Sequence, residues 1–223
     1  QKGSKGTPAY TRYINRWFGK VFASFLGCFK VSPNAISLTS GLLTIIAFVS
    51  FLLFKEITFL TSFLLVILLL FAYALDSADG QLARLLKKQS KKGEWLDHTL
   101  DAIKIPFGHG VAIILIVQKT DFEGFLLIFY LFLLSLASAR FFSNILKTKL
   151  IDYKSKPEKK DNPRIDLLRS ILLLSGDYAV FISFFTLTFN PKLFFITYTV
   201  WGFLTIFLSI IGLLKTWRSF KSP

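Results

Sequence analysis

Four aspartates carry the chemistry that this sequence offers: Asp76 and Asp79, then Asp97 and Asp101. The first pair is spaced i,i+3 and the second i,i+4, so on helices each pair shares one face. All four fall in or beside long apolar stretches. A charged side chain in a bilayer costs about 2.5–3.5 kcal/mol on insertion scales, so four carboxylates there imply a compensating cation. An all-carboxylate set suits hard ions such as Mg²⁺ or Mn²⁺, and two such ions can clamp a phosphoryl group during in-line displacement. Between the pairs lie Gly80, Ala83, Arg84 and Gly93. Gly80 and Ala83 remove bulk where a base or diphosphate would approach, although small residues also serve helix packing in lipid. Arg84 supplies a permanent positive charge for phosphate or for balancing the acids.

Positioning these groups requires membrane spans. The 223 residues are 53% apolar and include 26 Phe, with a mean hydropathy of +0.55, outside the range of ordinary soluble domains. A span needs roughly 20 apolar residues, and six stretches qualify: 34–54, 57–86, 94–117, 125–146, 170–189 and 193–214. Ser32 and Pro33 open the first as N-cap and first helical residue. The second is too long for the hydrocarbon layer, so its last turns emerge with Asp76 near the inner boundary, and the next helix brings Asp97 and Asp101 back to that depth. Ahead of the spans, Tyr10, Ile14, Trp17, Phe18, Val21, Phe22 and Phe25 recur at helical spacing. Arg12, Asn15, Arg16, Lys20 and Ser24 lie opposite, which predicts an amphipathic helix lying in the interface. The expected fold is therefore all-α: residues 1–31 as an amphipathic juxtamembrane helix and 32–223 as a six-helix membrane domain.

The formal charge of +14 does not point to nucleic acid, because the basic residues cluster between apolar spans. With the N-terminus inside, the outer loops carry only Lys55, Lys119 and Lys192, as the positive-inside rule demands. One cysteine, Cys28, permits no internal disulfide, and no Cys/His spacing offers a zinc site. The sequence starts at Gln1 and contains no Met, which leads us to expect a longer native chain in which a soluble domain could precede this segment.

The run Asp76-Ser-Ala-Asp79-Gly80-Gln-Leu-Ala83-Arg84, eight residues, then Gly93-Glu-Trp-Leu-Asp97-His-Thr-Leu-Asp101 resembles the signature of the CDP-alcohol phosphotransferases at every fixed position. The resemblance implies a membrane enzyme, commonly a homodimer, that transfers a substituted phosphate from a CDP-alcohol to an acceptor alcohol and releases CMP. It implies that Asp76, Asp79 and Asp97 chiefly hold two divalent ions, with Asp101 as a fourth metal ligand and the general base. It further implies that Asp76, Asp79, Gly80, Ala83, Arg84 and Gly93 line the CDP site. CDP-diacylglycerol with a small polar acceptor is the favoured substrate pair, in the cytoplasmic membrane of a prokaryote with the site facing the cytoplasm. CDP-choline or CDP-ethanolamine with diacylglycerol is the alternative, since Gly93-Glu94-Trp95-Leu96-Asp97-His98 resembles that branch, and a cation transporter would use similar acids without the Gly-x-x-Ala-Arg pattern. Lys104, Arg140 and Arg169 are candidates for an acceptor phosphate. For the arginines, snorkelling to lipid phosphate is the competing reading. Lys104 could instead simply pair with Asp101.

Overall fold

In the computed structural model, residues 7–120, 124, 126–150, 170 and 173–218 are described. These residues form helices joined by short connections, with no strand among them. A π-helical turn, Thr11–Asn15, leads into α1, Arg16–Cys28. The long helices are α2, Pro33–Leu53; α3, Phe59–Leu85; α4, Lys91–Lys119; and α5, Leu126–Leu150. A short α6, Tyr178–Ser183, continues as a 3₁₀ helix, Phe184–Phe189, and α7 runs Pro191–Trp217.

Each start has a local cause. Ser32 accepts from the Ala35 N–H with Pro33 following, as the sequence predicts. Thr58, Ser90, Asp177 and Asn190 cap α3, α4, α6 and α7 in the same way, each satisfying a donor that the first helical turn leaves open. Helices α1 and α3 end with Lys30 and Lys87 at φ 54° and 53°. There the N–H groups of Val31 and Lys88 reach back to the carbonyls of Leu26 and Ala83, the Schellman pattern that turns the chain sharply.

Five described helices are long and apolar enough to cross a membrane: α2, α3, α4, the Leu126–Leu146 part of α5, and α7. The predicted span over 170–189 differs from expectation. Its described part is the break at Gly176-Asp177 followed by the short apolar segment Tyr178–Phe189. The physical reason is that the Asp177 carboxylate caps Ala179 N–H at 3.0 Å, so a helix begins there instead of running through. That segment runs beside α3, with Tyr178 against Tyr73, Ser62 bonded to Thr188 at 3.0 Å, and Phe189 against Phe59.

The bundle interior is aromatic. Phe48, Phe51, Phe185, Phe194 and Tyr198 are buried in one cluster built from α2, the Tyr178–Phe189 segment and α7. His109 stacks on Phe181 at 4.4 Å, and its Nδ1 lies 2.6 Å from the Tyr198 hydroxyl, so the residue is a satisfied core contact. Gly108 makes that packing feasible, since a Cβ there would lie 2.7 Å from Phe48 and 2.8 Å from Phe181.

Helix α1 packs on α3 through a narrow face of small residues. Asn15, Gly19 and Ala23 are buried, and a Cβ on Gly19 would strike the Ser77 and Gln81 side chains. Asn15 was expected on the polar outer face and instead lies at 3% exposure. The close approach of the two helices leaves room there for a compact side chain. Trp17, Phe18, Val21 and Phe25 point outward and are exposed.

Candidate functional site

Helices α2 and α3 are antiparallel, and their polar residues meet in register. Ser37 donates to the Asp79 carboxylate, and Ser40, one turn on, donates to Asp76 Oδ1 at 3.2 Å. The i,i+3 spacing of the serines matches that of the aspartates, so a single helix contact orients both acids. Asp79 is buried and also receives the Gly80 N–H.

Helix α4 supplies the other side. One carboxylate oxygen from each of Asp76, Asp97 and Asp101 lies within 4.8 Å of the others. Of the four predicted ligands, the structure therefore brings three into one group and places the Asp79 carboxylate against Ser37. Lys104, one turn beyond Asp101 on α4, is buried and reaches both helices. Its Nζ is 2.5 Å from Asp76 Oδ1 and 3.0 Å from Asp101 Oδ1, so it bridges two acids instead of pairing with Asp101 alone. Three convergent carboxylate oxygens form a hard-donor set that fits Mg²⁺ or Mn²⁺.

Gly80 adjoins open space: a Cβ added there would have Arg84 Nη1, at 3.5 Å, as its nearest neighbour. Ala83 is partly exposed and Arg84 exposed, leaving this face of α3 accessible. Gly93 lies opposite Asn34, whose Oδ1 would be 3.2 Å from an added Cβ. Positive charge gathers at the same end. Burial pushes the Arg16 guanidinium below its ordinary pKa, and Arg84 and Arg12 add smaller effects in the same direction.

Two adjoining cavities open beside the acids. Asp76, Asp101, Lys104, Thr11 and Tyr73 line the first. Arg140, Asn144, Trp201, Thr205 and Ser209 line the second. Ile105, Phe141, Gly176, Asp177 and Tyr178 belong to both. Arg140 donates to Ser209 at 3.2 Å and packs against Gly176, so it faces the second cavity. Arg169 lies outside the described residues.

Sequence reasoning left Asp177 without a role. It is buried and ties the N-terminal segment to the bundle, because Thr11 N–H and Thr11 Oγ1 donate to its Oδ2 at 3.0 and 2.9 Å. Thr11 Oγ1 also shares a hydrogen bond with the Tyr73 hydroxyl at 2.8 Å. The available sequence signal was the Ser-Gly-Asp triplet at 175–177 inside an apolar stretch, a turn followed by a cap.

A family model described as CDP-alcohol phosphatidyltransferase matches residues 30–209, which contain all four aspartates. No curated protein matches the chain.

Proposed function

The chain belongs to the CDP-alcohol phosphatidyltransferase family, and on that premise we propose that it moves a phosphatidyl group from CDP-diacylglycerol to a small polar alcohol. It is a transferase of phosphorus-containing groups and a multi-pass membrane protein. The observation that carries the finer reading is the convergence of Asp76, Asp97 and Asp101 from two antiparallel helices, beside an accessible face bearing Gly80 and Arg84.

Asp76, Asp97 and Asp101 would hold divalent metal, with Asp79 completing the ligand set that the family resemblance implies; bound Mg²⁺ or Mn²⁺ would neutralise diphosphate charge. The chain's own groups do the rest. Gly80, Ala83 and Gly93 leave room for the cytidine diphosphate, and Arg84 offers it a fixed positive charge. The acceptor hydroxyl oxygen attacks the phosphorus distal to cytidine and the bond to CMP breaks. Asp101 accepts the hydroxyl proton. Arg140, on the wall of the neighbouring cavity, suits an anionic group on the acceptor, and Arg169 is assigned the same role.

Purified protein should release CMP from CDP-diacylglycerol with one member of a panel of glycerol phosphate, inositol phosphate and serine, and only with Mg²⁺ or Mn²⁺ present. Release of CDP, or full turnover in excess chelator, would sink the mechanism. Turnover of CDP-choline or CDP-ethanolamine with diacylglycerol, while every polar acceptor fails, would move the protein to the other branch.

The same reading counts the apolar stretch 170–189 as a sixth crossing, lays α1 in the cytoplasmic interface, and puts the site on the cytoplasmic side of a prokaryotic membrane as a homodimer. Exposed Trp17, Phe18 and Phe25 on α1 support the interfacial placement, as the amphipathic pattern requires. Orientation has a direct test. Single cysteines at Lys55, Lys119 or Lys192 in a Cys28-free background should react with impermeant reagents from outside intact cells, and one at Lys91 should not. The opposite labelling would face the site away from cytosolic nucleotides.

A further inference from the structure

The buried tyrosines of the bundle nearly all have partners. Tyr73 meets Thr11, Tyr130 meets Thr199 at 2.5 Å, and Tyr198 meets His109. Tyr178 differs: its hydroxyl is buried and has no hydrogen-bond partner among the described residues. Buried polar groups are nearly always satisfied, and leaving one unmade costs free energy. Tyr178 sits at a helix start, directly after the Asp177 cap, and its ring is packed at 5.2 Å from Tyr73 and 5.9 Å from Phe181.

Its position gives the orphan hydroxyl a use. Tyr178 lines both the aspartate cavity and the Arg140 cavity, and it lies within electrostatic reach of Lys104, Asp101 and Asp76. Tyr178 is thus one of the five residues shared by the two cavity walls. Given the reaction assigned above, on which this inference rests, we propose that the Tyr178 hydroxyl hydrogen-bonds the acceptor alcohol. It contacts a hydroxyl or ester oxygen in the middle of a molecule whose reacting hydroxyl faces Asp101 and whose anionic end faces Arg140. Polyol phosphates have that three-part layout; serine is shorter and offers fewer oxygens.

Tyr178→Phe removes the hydroxyl and keeps the ring. With CDP-diacylglycerol as donor and glycerol phosphate or inositol phosphate as acceptor, whichever the wild type uses, the acceptor KM should rise about tenfold, the loss of one buried hydrogen bond. Donor affinity, measured separately by binding of CDP-diacylglycerol with Mn²⁺, should stay within about twofold, because the group lies on the acceptor side. Thermal stability in detergent should be unchanged or higher, since no internal hydrogen bond is lost. An unchanged acceptor KM overturns the proposal, as does a lowered melting temperature or an equal loss of donor affinity, either of which marks a structural role. A wild type that turns over none of these acceptors, or serine alone, overturns it too. Failure of the wild type with every donor and acceptor would reveal itself without the variant, as a failure of the reaction assignment.

Discussion

Asp101→Asn should lower kcat roughly 10²–10⁴-fold, the usual size of a general-base contribution, while donor binding survives better than in Asp76→Asn or Asp97→Asn. The argument starts from position. Asp101 is the member of the three-acid group that lies deepest along α4, one turn before the buried Lys104, and it borders the cavity that shares Tyr178 with the Arg140 cavity. Gly80 and Arg84, which the donor would meet, do not line that cavity. Losing its carboxylate therefore removes the proton acceptor at the nucleophile's side and leaves most of the donor's surroundings intact. Asp76 is different, because it is the α3 carboxylate that joins both α4 acids in the group. Replacing it should weaken metal-dependent donor binding itself. Steady-state kinetics combined with direct binding of CDP-diacylglycerol in Mn²⁺ separates the two effects. Equal loss of donor binding in all the aspartate variants would show that Asp101 serves the donor's metal as fully as the others and would leave the proton to a different base.

The signature was legible because its spacing is dictated by helix geometry. Three and four residue steps put each pair of acids on one face, and antiparallel neighbours then bring the faces together. The supporting residues were harder to see. Ser37 and Ser40 are ordinary small polar residues in an apolar helix, and their value comes from the register of α2 against α3, which no local pattern specifies. The stretch 170–189, read from hydropathy as one span, is not one continuous helix in its described part, for the reverse reason. Its composition is apolar enough for a membrane, so hydropathy outweighed the Gly176-Asp177 break, although a glycine followed by a capping aspartate is a chain reversal signal in any solvent. Asn15 shows the limit of amphipathic reasoning. A polar residue on a helix need not face water where a neighbouring helix approaches over Gly19 and Ala23 and admits only compact side chains.

Lys104→Met should destabilise the chelator-treated protein by about 3–5 kcal/mol, the cost of removing one partner from a buried charged set, and added Mg²⁺ or Mn²⁺ should restore most of that loss. The Lys104 side chain is 6% exposed and touches carboxylates from two helices, so it couples α3 to α4 as well as neutralising charge. Methionine keeps the length and apolar stem of the side chain but leaves Asp76 and Asp101 facing each other without their common cation. Repulsion then acts directly on the α3 and α4 contact that positions the site. A divalent ion held by Asp76, Asp97 and Asp101 would supply positive charge to the same oxygens, so the variant should show a larger metal-induced rise in melting temperature than wild type. Lys104→Arg tests the geometry separately: it restores charge, but a planar guanidinium cannot occupy the position of a compact ammonium 2.5 Å from one acid and 3.0 Å from the other without displacing them, so it should recover stability only in part. Thermal denaturation of the three proteins in detergent, titrated with Mg²⁺ from a chelated start, reads all of this at once. Wild-type stability of Lys104→Met in chelator would show that the bridge contributes nothing to the fold, and a destabilised variant that no divalent ion rescues would show that these three carboxylates do not hold the metal.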